Sequence, residues 1–191
     1  MEKQYNKIIL VTAPSGSGKT SIVRNMMKIF PNLVFSVSAT TRPPRATEQE
    51  GEDYYFISTE EFKEKIHRKE FLEWEMVYEG KYYGTLKTEM SRIWAMGKVP
   101  VLDIDVQGAI HVQQQYPVNT MAVFIQAPST EELKRRLQSR GSETDESLQA
   151  RLDKSSYEMT FKNHFEHIVV NKDFEIACEE TAEIIGAFLE N

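Results

Sequence analysis

The chain has 191 residues, of which 40% are hydrophobic and 27% charged, with a formal net charge of -6. This composition supports one packed core, excludes a disordered chain, and speaks against a main role on nucleic acid, which favours a basic excess. The one cysteine, Cys178, excludes an internal disulfide framework, and no apolar run is long enough to span a membrane.

In chain order, residues 8–12 (IILVT) form a short β-branched apolar run, which predicts a buried strand. A Ser/Gly-rich loop follows. From Thr20 onward, Ile22, Val23, Met26, Met27 and Phe30 recur at helical spacing until Pro31. Residues 36–92 break the rhythm and are rich in Arg, Glu, Tyr and Thr. They carry a half-exposed strand at Asp53–Ile57 and a capping-box signature, Ser58-Thr59-Glu60-Glu61, ahead of Phe62 and Ile66. We read them as an insertion that holds a substrate site. Further strands are predicted at 99–104, 121–125 and 168–170. A second capping signature, Ser129-Thr130-Glu131-Glu132, precedes Leu133 and Leu137. Residues 134–155 are a charged helix-loop-helix bending at Gly141 and Ser142, which reads as a flap. Alternating strands and helices predict an α/β fold with a parallel sheet and a site at its C-terminal strand ends.

Residues 13–20, APSGSGKT, carry the most specific chemistry. Glycines let the chain curl so that successive N–H groups point at phosphate oxygens, and the next helix adds the positive end of its dipole. Lys19 can reach the β- and γ-phosphates of a nucleoside triphosphate, and the Thr20 hydroxyl is placed for Mg2+. The usual pattern starts with Gly; Ala13 stands there, a change that ordinary negative φ tolerates. The histidines His67, His111, His164 and His167 have no zinc-binding spacing. The N-terminal MEKQYNKIILVT lacks a long apolar stretch ahead of a small-residue cleavage site, which predicts a cytoplasmic protein without a membrane partner.

FSVSATTRPPRATEQEGEDYYF, EFLEWEMVYEGKYYGT and VLDIDVQGA, in this order behind the phosphate loop, resemble the guanylate kinase family through nearly the whole chain. The resemblance implies a P-loop NTPase fold with a central parallel five-stranded sheet flanked by helices. It implies one domain over 1–191: a core of 1–35, 93–133 and 156–191, a mixed GMP-binding insertion at 36–92, and a helical lid at 134–155. The implied reaction is ATP-dependent phosphorylation of GMP, with dGMP as a further acceptor, in purine nucleotide metabolism. ATP is the co-substrate and Mg2+ the cofactor, and the protein is a monomer or homodimer.

By the same resemblance, ATP would contact Ala13, Pro14, Ser15, Gly16, Ser17, Gly18, Lys19, Thr20, Ser21 and Asn171. GMP would contact Ser38, Arg42, Arg45, Glu48, Tyr54, Glu73, Tyr83, Thr85, Asp103 and Asp105. Thr20 and Asp103 would serve Mg2+, directly or through water. Lys19, Arg42, Arg136, Arg140 and Arg151 would stabilise the transferring phosphoryl group. Two guanidiniums in one stiff loop suit a phosphate. A carboxylate at Glu73 suits the adjacent N1–H and N2–H2 donors of guanine and would repel adenine. Thr85 replaces a commoner serine. One extra residue between Glu73 and Tyr83 leaves the register of Tyr82 against Tyr83 open, and Arg135 adjoins Arg136. Two other readings stay in play: a P-loop kinase for another small substrate, and a non-catalytic guanylate kinase-like interaction module.

Overall fold

The computed structural model describes residues 6–138 and 145–190. β1 (Ile8–Thr12) is buried along its whole length, as a continuous apolar run in the middle of a parallel sheet must be. It lies between β7 (Val99–Asp103) and β8 (Thr120–Gln126), with β2 (Leu33–Phe35) and β9 (His167–Val170) outside them. All four pairings in this five-stranded sheet are parallel.

Alternate side chains of β1 face opposite layers. Ile9 and Val11 pack with α1 (Lys19–Ile29) and α7 (Phe174–Glu190) on one face. Ile8 and Leu10 pack with α3 (Lys87–Ala95) and α4 (Val106–Gln115) on the other. The expected α/β architecture is therefore present, with both faces of the sheet covered.

A second sheet, in the order β4-β3-β6-β5, is built from β3 (Ser38–Thr40), β4 (Tyr54–Phe56), β5 (Phe71–Tyr78) and β6 (Lys81–Leu86). β3 and β4 are parallel, whereas β6 runs antiparallel to β3 and β5. Its own small core is Phe62 of α2 (Thr59–His67) against Phe71, rings 4.3 Å apart, with Ala39 and Tyr82. Ser58 caps α2 by accepting from the Glu61 N–H at 3.0 Å, as its signature predicts. The chain leaves the first sheet after Phe35 and is back on the core face with α3, which straddles the end of the 36–92 insertion read from composition. α5 (Thr130–Gln138) and α6 (Asp145–Met159) meet through Leu133, Leu137, Leu148 and Leu152. The predicted bend at Gly141 and Ser142 lies outside the described residues.

Candidate active site

α1 and α4 lie on opposite faces of the sheet, and they follow β1 and β7, which are neighbours. Where helices leave adjacent parallel strands in opposite directions, a crevice opens beyond the strand ends and ligands bind there. The 13–20 loop leaves β1 at that point, and Asp103 to Asp105 leave β7 beside it.

Gly16 and Gly18 have φ of 90° and 92°, the left-handed region that glycine enters without cost. Gly18 is the N-cap of α1. A Cβ there would collide with Asn171 Nδ2, and a Cβ on Gly16 would press on Leu137 at 3.0 Å. Both glycines thus serve the curl of the loop and the close approach of its supports. Among the described residues Lys69 is the one non-glycine with positive φ, so Ala13 takes the ordinary backbone expected of it. Asn171 is buried and donates from Nδ2 to the Ser17 carbonyl at 2.8 Å, bracing the loop from beneath. Ser155 of α6 donates to the Ser15 carbonyl at 3.4 Å. The Ser17 hydroxyl is buried without a partner.

Lys19 Nζ lies 2.5 Å from Asp103 Oδ1 and donates to the Ile104 carbonyl at 3.1 Å. Thr20 Oγ1 donates to Asp103 Oδ2 at 3.4 Å. A hydroxyl and a carboxylate side by side are hard oxygen donors. Two of them suit Mg2+, which keeps several waters and completes its shell with substrate phosphates. The residues present therefore fit the ion.

A cavity of about 840 Å³ runs from this loop to the second sheet. Its walls include Ser38, Arg45, Glu48, Tyr54, Glu73, Tyr83, Asp103, Asp105 and Arg151. Arg42 makes a two-pronged pair with Glu48, both contacts 2.6 Å, and its guanidinium lies 4.8 Å from the Tyr54 ring centre. The pair holds the Glu48 carboxyl down at about 2, first through the Arg42 hydrogen bonds and then through the Arg45 N–H. Arg45 is mostly exposed, 3.9 Å from Glu48. Tyr83 faces the cavity edge-on to Tyr54, while Tyr82 packs behind the sheet on Phe62.

Glu73 is 6% exposed. Its Oε1 accepts from the Thr85 N–H at 2.9 Å and from the Thr85 hydroxyl at 2.6 Å. Burial pushes its pKa up to about 7, against the pull of the Thr85 bonds. A Cβ on Gly108 would stand 2.9 Å from Glu73 Oε2, so α4 comes this close because residue 108 has no side chain. Asp105 caps α4, accepting from the Gln107 and Gly108 N–H groups at 2.9 Å each.

The structure adds residues that sequence reasoning missed. Glu75 shares the cavity face of β5 with Glu73, and its buried Oε2 has no donor opposite it. Its carboxyl is pushed up to about 8, first by a hydrogen bond shared with Asp105 and then by burial. Burial opposes ionisation of Asp105, but the bonds from Glu75 and Gly108 keep its pKa below the ordinary range. Lys154 and Glu158 also line the cavity, beside the expected Arg151 and on the same face of α6, at i, i+3 and i+7. That spacing was visible in the chain; its orientation toward the site was not. Lys154 Nζ stands 3.8 Å from Glu158 Oε1.

Arg136, expected at the site, is not among the residues that line the cavity. Arg136 donates to Glu132 at 2.8 Å and to the Asn171 carbonyl at 2.9 Å, at the end of β9. Its neighbour Arg135 is largely exposed and pairs with the same Glu132. Arg140 lies outside the described residues.

Comparison with known proteins agrees over nearly the full length. The family model described as guanylate kinase matches residues 5–188. The chain is 43% identical over 189 residues to a guanylate kinase of Bacteroides thetaiotaomicron, covering 99% of this chain and 93% of that one. It is 42% identical to one of Thermotoga maritima, covering 94% and 86%. The crystal structure of guanylate kinase from Anaplasma phagocytophilum superposes with a TM-score of 0.77 at 30% identity, covering 97% of this chain and 87% of that one. With a phosphate loop at one end of the cavity and a buried carboxylate at the other, these likenesses establish that the chain belongs to the guanylate kinase family.

Proposed function

We propose that this chain transfers the γ-phosphoryl group of ATP to GMP, and also to dGMP, giving ADP and the nucleoside diphosphate. The observation that carries the reading is the single cavity joining Lys19 to Glu73. A donor on the phosphate loop and an acceptor base on Glu73 would share it, with Arg42, Arg45 and the two tyrosines between them.

Ser38, Glu73 and Thr85 would hold the base. The ionised Glu73 carboxylate accepts from guanine N1–H and N2–H2; adenine offers no such pair. Arg42 and Arg45 would take the acceptor phosphate and exchange Glu48 for it. Lys19, now on Asp103, would turn to the triphosphate. Bound at Thr20 and Asp103, Mg2+ would neutralise charge on the donor phosphates. Arg151, reaching in from α6, would add positive charge to the transferring group, and Arg136 and Arg140 would join it as the 134–155 segment closes as a lid over the 36–92 insertion. No general base is needed, because a phosphate monoester with a second pKa of about 6 is already ionised at neutral pH. Catalysis on this reading is positioning plus electrostatic stabilisation, in line and with water excluded. The lone cysteine fits a reducing, cytoplasmic setting, and the chain would work as a monomer or homodimer.

The test is ADP formation by the purified chain with ATP and Mg2+. GMP-dependent release supports the kinase. No release with any acceptor would favour the interaction module instead.

A further inference from the structure

Two crossings join the sheets. The outgoing one is short: the Ser36 N–H donates to the Val101 carbonyl of the core sheet at 2.9 Å, and β3 begins at Ser38. The returning one enters α3 directly after β6. Glu89, in the first turn of α3, sits between them and is 3% exposed.

Its carboxylate is fully used. Oε1 accepts from the Val37 N–H at 3.1 Å and from Arg92 Nη2 at 2.7 Å. Oε2 accepts from the Tyr55 hydroxyl at 3.1 Å and from Arg92 Nε at 2.9 Å. Four contacts meet the capacity of an ionised carboxylate. Burial opposes the charge, yet Arg92, the Val37 N–H and Tyr55 keep the group below the ordinary carboxylate range. Its neighbours on α3, Met90 and Ile93, are locked in the core. Glu89 is therefore a core-anchored group holding the outgoing crossing and an edge strand of the second sheet. At the opposite edge, Gln115 of α4 donates to the Leu72 carbonyl of β5 at 2.9 Å.

The residues held are next to residues of the cavity. Val37 precedes Ser38, and Tyr55 follows Tyr54. Ser38 and Tyr54 are paired across β3 and β4, and both line the cavity. Strand alternation turns Tyr54 toward Arg42 and Tyr55 back toward Glu89. We propose that Glu89 is a positioning residue: it fixes the second sheet on the core, and through Val37 and Tyr55 it sets the acceptor-side geometry of Ser38, Tyr54 and Arg42. This rests on the reading of the second sheet as the acceptor site.

The test compares wild type, Glu89→Gln and Tyr55→Phe. Glu89→Gln keeps the shape and removes the charge; Tyr55→Phe removes one bond and leaves the core intact. We expect KM for GMP to rise about tenfold in the first and about threefold in the second, in line with loss of bonds to a charged group. KM for ATP should stay within about twofold. Amide hydrogen exchange without ligands should quicken at Val37 and in β3 and β4, but not in β7. Equal rises in both KM values, or unchanged exchange at Val37 and β4, would overturn the proposal. Wild type that fails to phosphorylate GMP would instead remove the functional reading, and the exchange data would still decide the role of Glu89.

Discussion

Lys19 Nζ and Asp103 Oδ1 stand 2.5 Å apart, so the lysine of the phosphate loop is held by a carboxylate from the end of β7. The contact crosses the crevice between two adjacent strands and keeps the ammonium aimed into it. Lys19→Met should lower kcat by about 10² to 10³, the loss typical of one preorganised charge-stabilising group. The thermal midpoint should move little, because both side chains are partly exposed. Steady-state kinetics beside a melting curve check this, and near-wild-type turnover would remove Lys19 from the chemistry.

Glu73 gives a pH dependence with a definite sign. Its pKa is raised to about 7, and on the proposed reading it takes guanine as a carboxylate. GMP affinity should therefore rise with pH up to about 7 and then level. Stability should run the other way. A raised folded pKa stabilises the fold fully below the unfolded value, and that contribution is lost as pH rises through about 7. Glu73→Gln should flatten both trends. GMP titrations and denaturant midpoints from pH 5 to 8 are the measurement.

Gly108→Ala should separate stability from function. Position 108 is helical, so alanine favours the helix by up to about 1 kcal/mol. The new Cβ would nonetheless stand 2.9 Å from Glu73 Oε2, which Thr85 keeps from retreating. KM for GMP should rise severalfold with KM for ATP unchanged, and the melting temperature should fall only slightly, because the helix gain offsets part of the clash.

Gly18 and Asn171 should be coupled. Gly18→Ala meets both a left-handed backbone and the Asn171 amide. Asn171→Ala leaves the Ser17 carbonyl without its buried donor, a loss of about 1–3 kcal/mol. The double variant should be more stable than the sum of the two losses predicts, because removing the amide makes room for the methyl group. Denaturant unfolding of the four proteins gives the cycle.

How much of this was legible in the chain depends on how local each feature is. The 13–20 loop was legible because glycines, Lys19 and Thr20 sit within one turn of chain, between an apolar run and a helical pattern. The parallel sheet followed from the alternation of elements, and the cap at Ser58 from four residues. Glu73 had meaning only through resemblance, since its burial comes from Thr85, 12 residues on, and from Gly108 on another sheet's helix. Glu75 and Glu158 belong to no motif or spacing that marks them in the chain. What makes them part of the site is the close approach of β5, α4 and α6, which no spacing encodes. Glu89 left a weak sign, an acid on the apolar face beside Met90 and Ile93, but its partners Val37 and Tyr55 lie 52 and 34 residues away.

The central claim is that donor and acceptor share one cavity with guanine read at Glu73. The most direct measurement is coupled ADP release from ATP against GMP, dGMP, AMP, CMP and UMP, for wild type and Glu73→Gln. The account predicts that GMP and dGMP are used and the others are poor by several orders of magnitude. It also predicts that Glu73→Gln loses the guanine preference while KM for ATP holds. Equal use of AMP by wild type, or a preference for GMP that survives Glu73→Gln, would contradict it.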